Sequence, residues 1–292
     1  LDATINPDFS QIDVDQQVTN LTRFAINLPE RRNFFLENAD LFSNLGANGV
    51  NPFYSRRIGS QSPIKFGLKL SGNISPKTRI GALYVQTNKK DENAPQNFGA
   101  LVFEHQLTKK FTATAFLVNR QETNSSNLNK DYNRVTGINL NYKSNNKKWT
   151  GVANFGKSFN DDISKDNNFY NIGLWFNKRG LSWDFSVKNV GKNYITDIGF
   201  TPRLYNYDAI KSLTIREGYT QTSAGFLFQK FYETSRNINS IKYLNYKNDN
   251  YFDSSGKLSQ SSHLLNSAVF FKDLSSVYSI INYDYIDLEY AF

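Results

Sequence analysis

The chain has 292 residues, with no cysteine and no methionine, and 34 basic against 26 acidic residues give it a formal charge of +8. That length allows one large or two medium domains with a substantial core, and the missing cysteine excludes a disulfide framework, a thiolate nucleophile and a cysteine-ligated metal. No stretch approaches the ~18 apolar residues of a membrane-spanning helix, and a sequence that begins at Leu1 without methionine is expected to be a mature or excised segment whose signal peptide has gone.

The first informative stretch is LPERRNFFLENADLF, residues 28 to 42. Pro29 suits the first turn of a helix and Glu30 its positive end. Phe34, Phe35, Leu41, Phe42 and Leu45 then share one helical face, provided Asn38 is tolerated within it. A second basic pair, Arg56 and Arg57 in NPFYSRRIG, lies within reach of Glu30, Glu37 or Asp40. Residues 1–63 are therefore expected to form an N-terminal segment that lines or plugs a larger structure, with Glu30, Arg31, Arg32, Glu37, Asp40, Arg56 and Arg57 as its polar cluster. An ordinary amphipathic surface helix is the competing reading.

From Ile64 the pattern has period two. Ile64, Phe66, Leu68 and Leu70 alternate with Lys65, Gly67, Lys69 and Ser71, and Leu181, Trp183, Phe185 and Val187 alternate with Ser182, Asp184, Ser186 and Lys188. Such segments are strands with one apolar and one polar face. Others are expected near 79–88, 98–107, 111–121, 134–143, 149–159 and 168–177, each close to the ~10 residues that a tilted strand needs to cross a bilayer.

The connections alternate in length. SPKT, TKK, SNNKK and KRG are short, whereas KKDENAPQN, ETNSSNLNKDYN, NDDISKDN and GKNYITDI are long. Every second loop thus emerges at the same end, which is the layout of an up-and-down outer-membrane barrel with its short turns in the periplasm. Phe98, Phe111, Trp149, Phe159, Phe169 and Trp183 lie close to strand ends, as an aromatic girdle at headgroup depth would. The basic residues gather beside the short turns, at Lys77, Arg79, Lys109, Lys110, Lys147, Lys148, Lys178 and Arg179. That ring-like spread argues against a nucleic-acid groove, which needs basic groups and stacking aromatics on one continuous face.

Beyond 198 the strands continue through 212–220, 224–234, 239–248, 258–271 and 277–292. The tail IDLEYAF sets Ile286, Leu288, Tyr290 and Phe292 on one face, in the manner of a closing barrel strand.

Several motifs have bland explanations. GVANFGKS, residues 151–158, fits the G-x-x-x-x-G-K-S phosphate-loop pattern but reads as part of a strand with no helix after it. His105 and His263 are the only histidines and are far apart, and NDDISKDNN lacks the glycine and terminal glutamate of an EF-hand. No G-x-S-x-G elbow is present. Neither a metal site nor a cofactor is expected, and no catalytic residue can be nominated.

LDATINPDFSQIDVDQQVTNLTRF, LPERRNFFLENADLF, PFYSRRIG, RIGALYVQT and NVGKNYITDIGFTPR, in that order, resemble hallmark segments of a Bacteroidota outer-membrane barrel family of unknown function. The resemblance covers most of residues 1 to 210. In that family the barrel usually follows a module similar to carbohydrate-binding module family nine. It implies an outer-membrane location, contact with lipid, and a link to glycans or to such a module. Family barrels tend to be longer than this chain, so a shortened member and a part of a larger barrel both fit.

The expected fold class is all-β: a transmembrane antiparallel up-and-down β-barrel of about fourteen strands, complete or part of a larger one, over residues 64–292. The expected function is a non-enzymatic pore, uptake component or surface scaffold in the outer membrane of a Gram-negative bacterium. The alternatives are an outer-membrane hydrolase with a loop-borne site and a soluble all-β glycan-binding adhesin.

Overall fold

The computed structural model describes residues 1–7, 19–20, 24–123, 131–161 and 165–287. A short strand, β1 (Asp2–Ile5), comes first, followed by two single-turn helices, α1 (Asn33–Leu36) and α2 (Asp40–Ser43). The expected continuous helix breaks at Asn38, whose φ of 48° lies in the left-handed region that asparagine tolerates better than most residues. Phe35, Leu41, Phe42 and Leu45 are nevertheless all buried, because the kinked segment still turns them to one side.

Eight strands follow in hairpin succession: β2 (Ile64–Ser75), β3 (Thr78–Thr87), β4 (Gln96–Gln106), β5 (Phe111–Glu122), β6 (Tyr132–Lys143), β7 (Trp149–Phe159), β8 (Asn168–Lys178) and β9 (Leu181–Val190). A small hairpin, β10 (Tyr205–Asp208) with β11 (Leu213–Arg216), interrupts the series before β12 (Tyr219–Phe231), β13 (Ile238–Asp253), β14 (Leu258–Phe271) and β15 (Ser276–Ile286).

The chain is all-β in its folded bulk. One antiparallel sheet of thirteen strands runs β1 to β9 and then β12 to β15, each strand beside its neighbour in sequence. Among the described residues β15 pairs with β14 and β1 with β2, and the two ends of the sheet are not joined. The strands expected at 212–220 and 224–234 are replaced by other elements. Leu213–Arg216 folds back on Tyr205–Asp208, and Tyr219–Phe231 runs unbroken against both β9 and β13. The turn of that small hairpin is closed locally, with Asp208 Oδ1 accepting the amides of Ile210 at 3.1 Å and Lys211 at 3.2 Å. The segment GVANFGKS lies inside β7, and Leu288–Phe292 of the tail fall outside the described residues.

With β10 and β11 counted inside a long connection, the alternation of short and long connections persists through β13 and ends at the tight turn 254–257 between β13 and β14. Period two then decides what each face of the sheet meets. Leu68, Leu101, Phe103, Ile172 and Phe185 are on one side and all exposed, Ile172 to 61 %. The opposite face packs on residues 34 to 58, with Phe35, Phe42, Val50 and Ile58 meeting Leu83, Val85, Val102, Phe116 and Val118 in one core. Where the Phe42 ring reaches the wall, the wall has a glycine: a Cβ at Gly81 would stand 2.7 Å from Phe42 Cζ.

Four hydrogen bonds measure the curvature. Asn38 Nδ2 reaches Ser71 of β2 at 3.1 Å, Arg79 of β3 donates to Asp40 at 2.7 Å, Asn139 of β6 donates to the Asn44 carbonyl at 3.1 Å, and Lys188 of β9 donates to the Asn48 carbonyl at 2.7 Å. In a flat sheet β2 and β9 would be seven strand spacings apart, roughly 33 Å. A segment of eleven residues containing a helical turn cannot cover that distance, so the sheet curls around it.

Candidate functional site

The concave face and the segment lodged in it form the candidate site. Pro29 lacks an amide hydrogen and fixes the backbone, and Glu30 then folds back on its own chain. Its Oε1 accepts the amides of Arg31 and Arg32 and Nε of Arg32, each at 2.9 Å. Its Oε2 accepts Arg32 Nη2 at 2.7 Å and Ser55 Oγ at 2.6 Å. Burial pushes the Glu30 carboxyl up, but the hydrogen bonds from Arg32 and Ser55 and the Arg32 charge outweigh it and hold the group at about 2.

Arg32 also donates to the carbonyls of Ile58 at 2.7 Å and Ser55 at 2.6 Å and lies over the Phe35 ring at 4.3 Å. The guanidinium therefore ties the start of α1 to the turn at 55–58. Tyr54 adds a second tie: its hydroxyl donates to the Leu28 carbonyl at 3.0 Å and accepts the Leu28 amide at 3.1 Å.

The other expected cluster residues are dispersed. Arg56 donates to the Pro29 carbonyl at 2.7 Å. Asp40 makes a two-point contact with Arg79, Oδ2 at 2.7 Å and Oδ1 at 3.1 Å, and the hydrogen bonds from that guanidinium hold its carboxyl below the usual range. Glu37 is exposed and contributes its carbonyl, not its carboxylate, to a bond from Lys69. Arg57, also exposed, lines a cavity of about 350 Å³ with Arg120, Asp197 and Tyr205.

The aromatic residues expected at strand ends divide by strand parity. Phe111 meets Tyr142 at 4.9 Å, and Trp149 meets Phe176 at 4.9 Å and Trp183 at 5.2 Å, all at the short-turn rim on the outer face; Phe159 is exposed on that face at the far rim. Phe98 and Phe169 fall on the inward parity of β4 and β8 and are buried in the core, Phe169 edge-on to Tyr194 at 5.1 Å, so neither belongs to an outer belt. Nearness to a strand end says nothing about which face a residue occupies.

Three inward groups escaped the sequence reading. Lys69 looked like one more polar alternate, yet it is 2 % exposed and bonded to the segment. Arg120 of β5 holds Asp197 at 2.6 Å and Asp131 at 2.6 Å, anchoring two loops at one rim. Asn139, Asn141, Asn154 and Asn171 recur on the inward parity of β6, β7 and β8 and line a second cavity of about 570 Å³ between α2 and the wall. Their parity was the available signal.

Comparison with known proteins adds little. The profile of a family described as a domain of unknown function (DUF5916) matches residues 1–81, which hold β1, the lodged segment, β2 and the start of β3. No curated protein and no solved structure matches the chain.

Proposed function

We propose that the curved sheet is the wall, whole or in part, of an outer-membrane β-barrel, and that residues 24–63 are its plug. On this reading the protein is a plugged scaffold or gated uptake component of a Gram-negative envelope. The observation that carries it is the orientation of the wall. Leucine, isoleucine and phenylalanine side chains stand exposed on the convex face through the middle of the strands, while the concave face carries the lodged segment, ion pairs and amides. A water-soluble sheet of this size covers such an apolar face, whereas a bilayer is the solvent that rewards leaving it bare. The outward cluster of Trp149, Phe176 and Trp183 suits headgroup depth, and the resemblance of the N-terminal motifs to an outer-membrane family points the same way. The association of that family with a carbohydrate-binding-like module links the scaffold to glycan handling.

The plug makes conductance low in the resting protein. Detergent-extracted protein is expected to migrate faster unheated than boiled, and planar bilayers to show little current until the Arg32 anchor is replaced. A compact monomer that stays in solution without any detergent overturns the reading.

One observation favours a hydrolase. On the outer face of β14, Ser261 Oγ lies 2.9 Å from His263 Nε2, and Tyr246 hydroxyl lies 2.8 Å from His263 Nδ1. Against it, Ser261 is only 5 % exposed and its hydroxyl donates to Asn250 Oδ1 at 2.6 Å, so its proton is turned away from the imidazole.

A further inference from the structure

The 570 Å³ cavity has the volume of an ordinary small-molecule site, ~300–1,000 Å³. Its wall has three features that belong together. The first is an aromatic platform. Gly173 and Trp175 share the inward face of β8, and the six-membered ring of the Trp175 indole lies over the bare Cα of Gly173, where any Cβ would collide with it. The ring is thus backed by main chain, and Trp175 is among the residues that line the cavity. Trp149 and Trp183, in contrast, pack against each other on the outer face.

The second feature is a run of neutral amides beside that platform. Asn171 donates to Asn154 Oδ1 at 2.8 Å across β7 and β8, and Asn139 and Asn141 continue the row on β6. Asn139 is 3 % exposed, gives its Nδ2 to the Asn44 carbonyl, and its Oδ1 meets no donor among the described residues. Each amide carries a donor and an acceptor in one plane, the complement of a hydroxyl that can act as both.

The third is the state of the charges. Asp40 is paired with Arg79, Glu104 is 3.5 Å from the same guanidinium, and Asp249 accepts from Ser223 Oγ and from Gln221 Nε2. Lys188 Nζ is bonded to the Asn48 carbonyl. Among the described lining residues there is no converging set of cations to hold a phosphate or carboxylate.

We infer that this cavity binds a neutral polyhydroxylated ligand, a short oligosaccharide, with the C–H face of one ring stacked on Trp175 and its hydroxyls bridged by the Asn154–Asn171 pair. The apolar side of a pyranose carries slightly positive C–H groups and is attracted to the negative face of an indole. Amides positioned alongside then reject an analogue lacking the hydroxyls, because their buried polar groups would be left unpaired. The site needs only the concave face and the lodged segment, so it stands whether or not the convex face meets lipid.

The test uses Trp175 as its own reporter. In the full chain carrying W149F and W183F it is the sole tryptophan, and its emission is followed during titration with neutral gluco-, xylo- and manno-oligosaccharides. Inorganic phosphate, a uronic-acid oligomer and choline serve as anionic and cationic probes. A saturable shift with at least one neutral oligomer is expected, at a Kd below about 10 mM. By calorimetry in the native background, Asn171→Asp, which keeps the shape, should weaken binding at least about tenfold, whereas Lys109→Ala, in an exposed turn outside the cavity, should leave it unchanged. The inference is overturned if no neutral oligomer shifts the emission, if the anionic or cationic probe binds more tightly, or if Asn171→Asp melts like the parent protein and still binds as well.

Discussion

Lys69 Nζ donates to the carbonyl of Phe34 at 2.7 Å, joining the middle of β2 to α1 across 35 residues of sequence. The same ammonium donates to the Glu37 carbonyl at 3.0 Å and pairs with Asp2 at 3.2 Å. A cation at the C-terminal carbonyls of a helical turn is favourably placed, and a single side chain thus fastens β1, α1 and the wall.

Lys69→Met keeps the stem and removes the donors. The two carbonyls then lose a buried partner, at about 1–3 kcal/mol each before any rearrangement. A fall in the denaturation midpoint, with faster proteolytic cleavage in residues 28–48, is the expected result.

Glu30 gives a pH signature. Its carboxyl is held at about 2 in the folded chain, below the ordinary value of 4.5. The stabilisation is therefore complete above pH 4.5 and is lost as pH falls through about 2. Glu30→Gln should cost about 1–3 kcal/mol near neutrality, and the gap between parent and variant should narrow as denaturation is followed from pH 6 down to pH 2.

Phe42 and Gly81 should respond in opposite senses of volume. Phe42→Ala empties a site in the core and is expected to cost about 3–5 kcal/mol. Gly81→Val places a branched side chain against the same ring and should destabilise by about 1–3 kcal/mol through overpacking. Combining Phe42→Ala with Gly81→Val should recover part of the second loss, which a double-mutant cycle would measure.

Ile172, central in β8 and 61 % exposed, separates lipid from water as the solvent of the convex face. In a bilayer Ile172→Lys should cost about 2–4 kcal/mol, measured by folding into lipid vesicles. On a water-exposed face the same change stays within about 0.5 kcal/mol.

Arg120 couples two loops through Asp131 and Asp197. Asp197→Ala should loosen the loop that carries Ile195 and Ile198 without freeing it, since the Asn133 side chain still donates to the Ile195 carbonyl at 3.0 Å, and should leave the strands in place. Faster amide exchange over residues 194–199, with slow exchange preserved in β5, is the expected pattern.

From β2 to β9, strand identity, order and the succession of short and long loops were legible because period two and turn composition are local properties. Leu181 to Lys188 alternates in sequence as it does in the sheet, and Trp149 and Trp183 stand on the outer face with their alternating neighbours. Asn38 showed the limit of local reading, since only contact with Ser71 and burial of the flanking aromatics select its left-handed backbone over a continuous helix.

The chain's own chemistry determined that it would be a two-faced antiparallel meander, because alternating side chains cannot be buried any other way. Tertiary structure decided which face holds the segment, that Glu30 takes Arg32 and Ser55 while Asp40 takes Arg79, and that Phe98 and Phe169 turn inward. Those outcomes depend on sheet curvature, which brings β2, β3, β6 and β9 onto one short stretch of chain. Curvature is the sum of small twists over many strands, and no single window of sequence contains it.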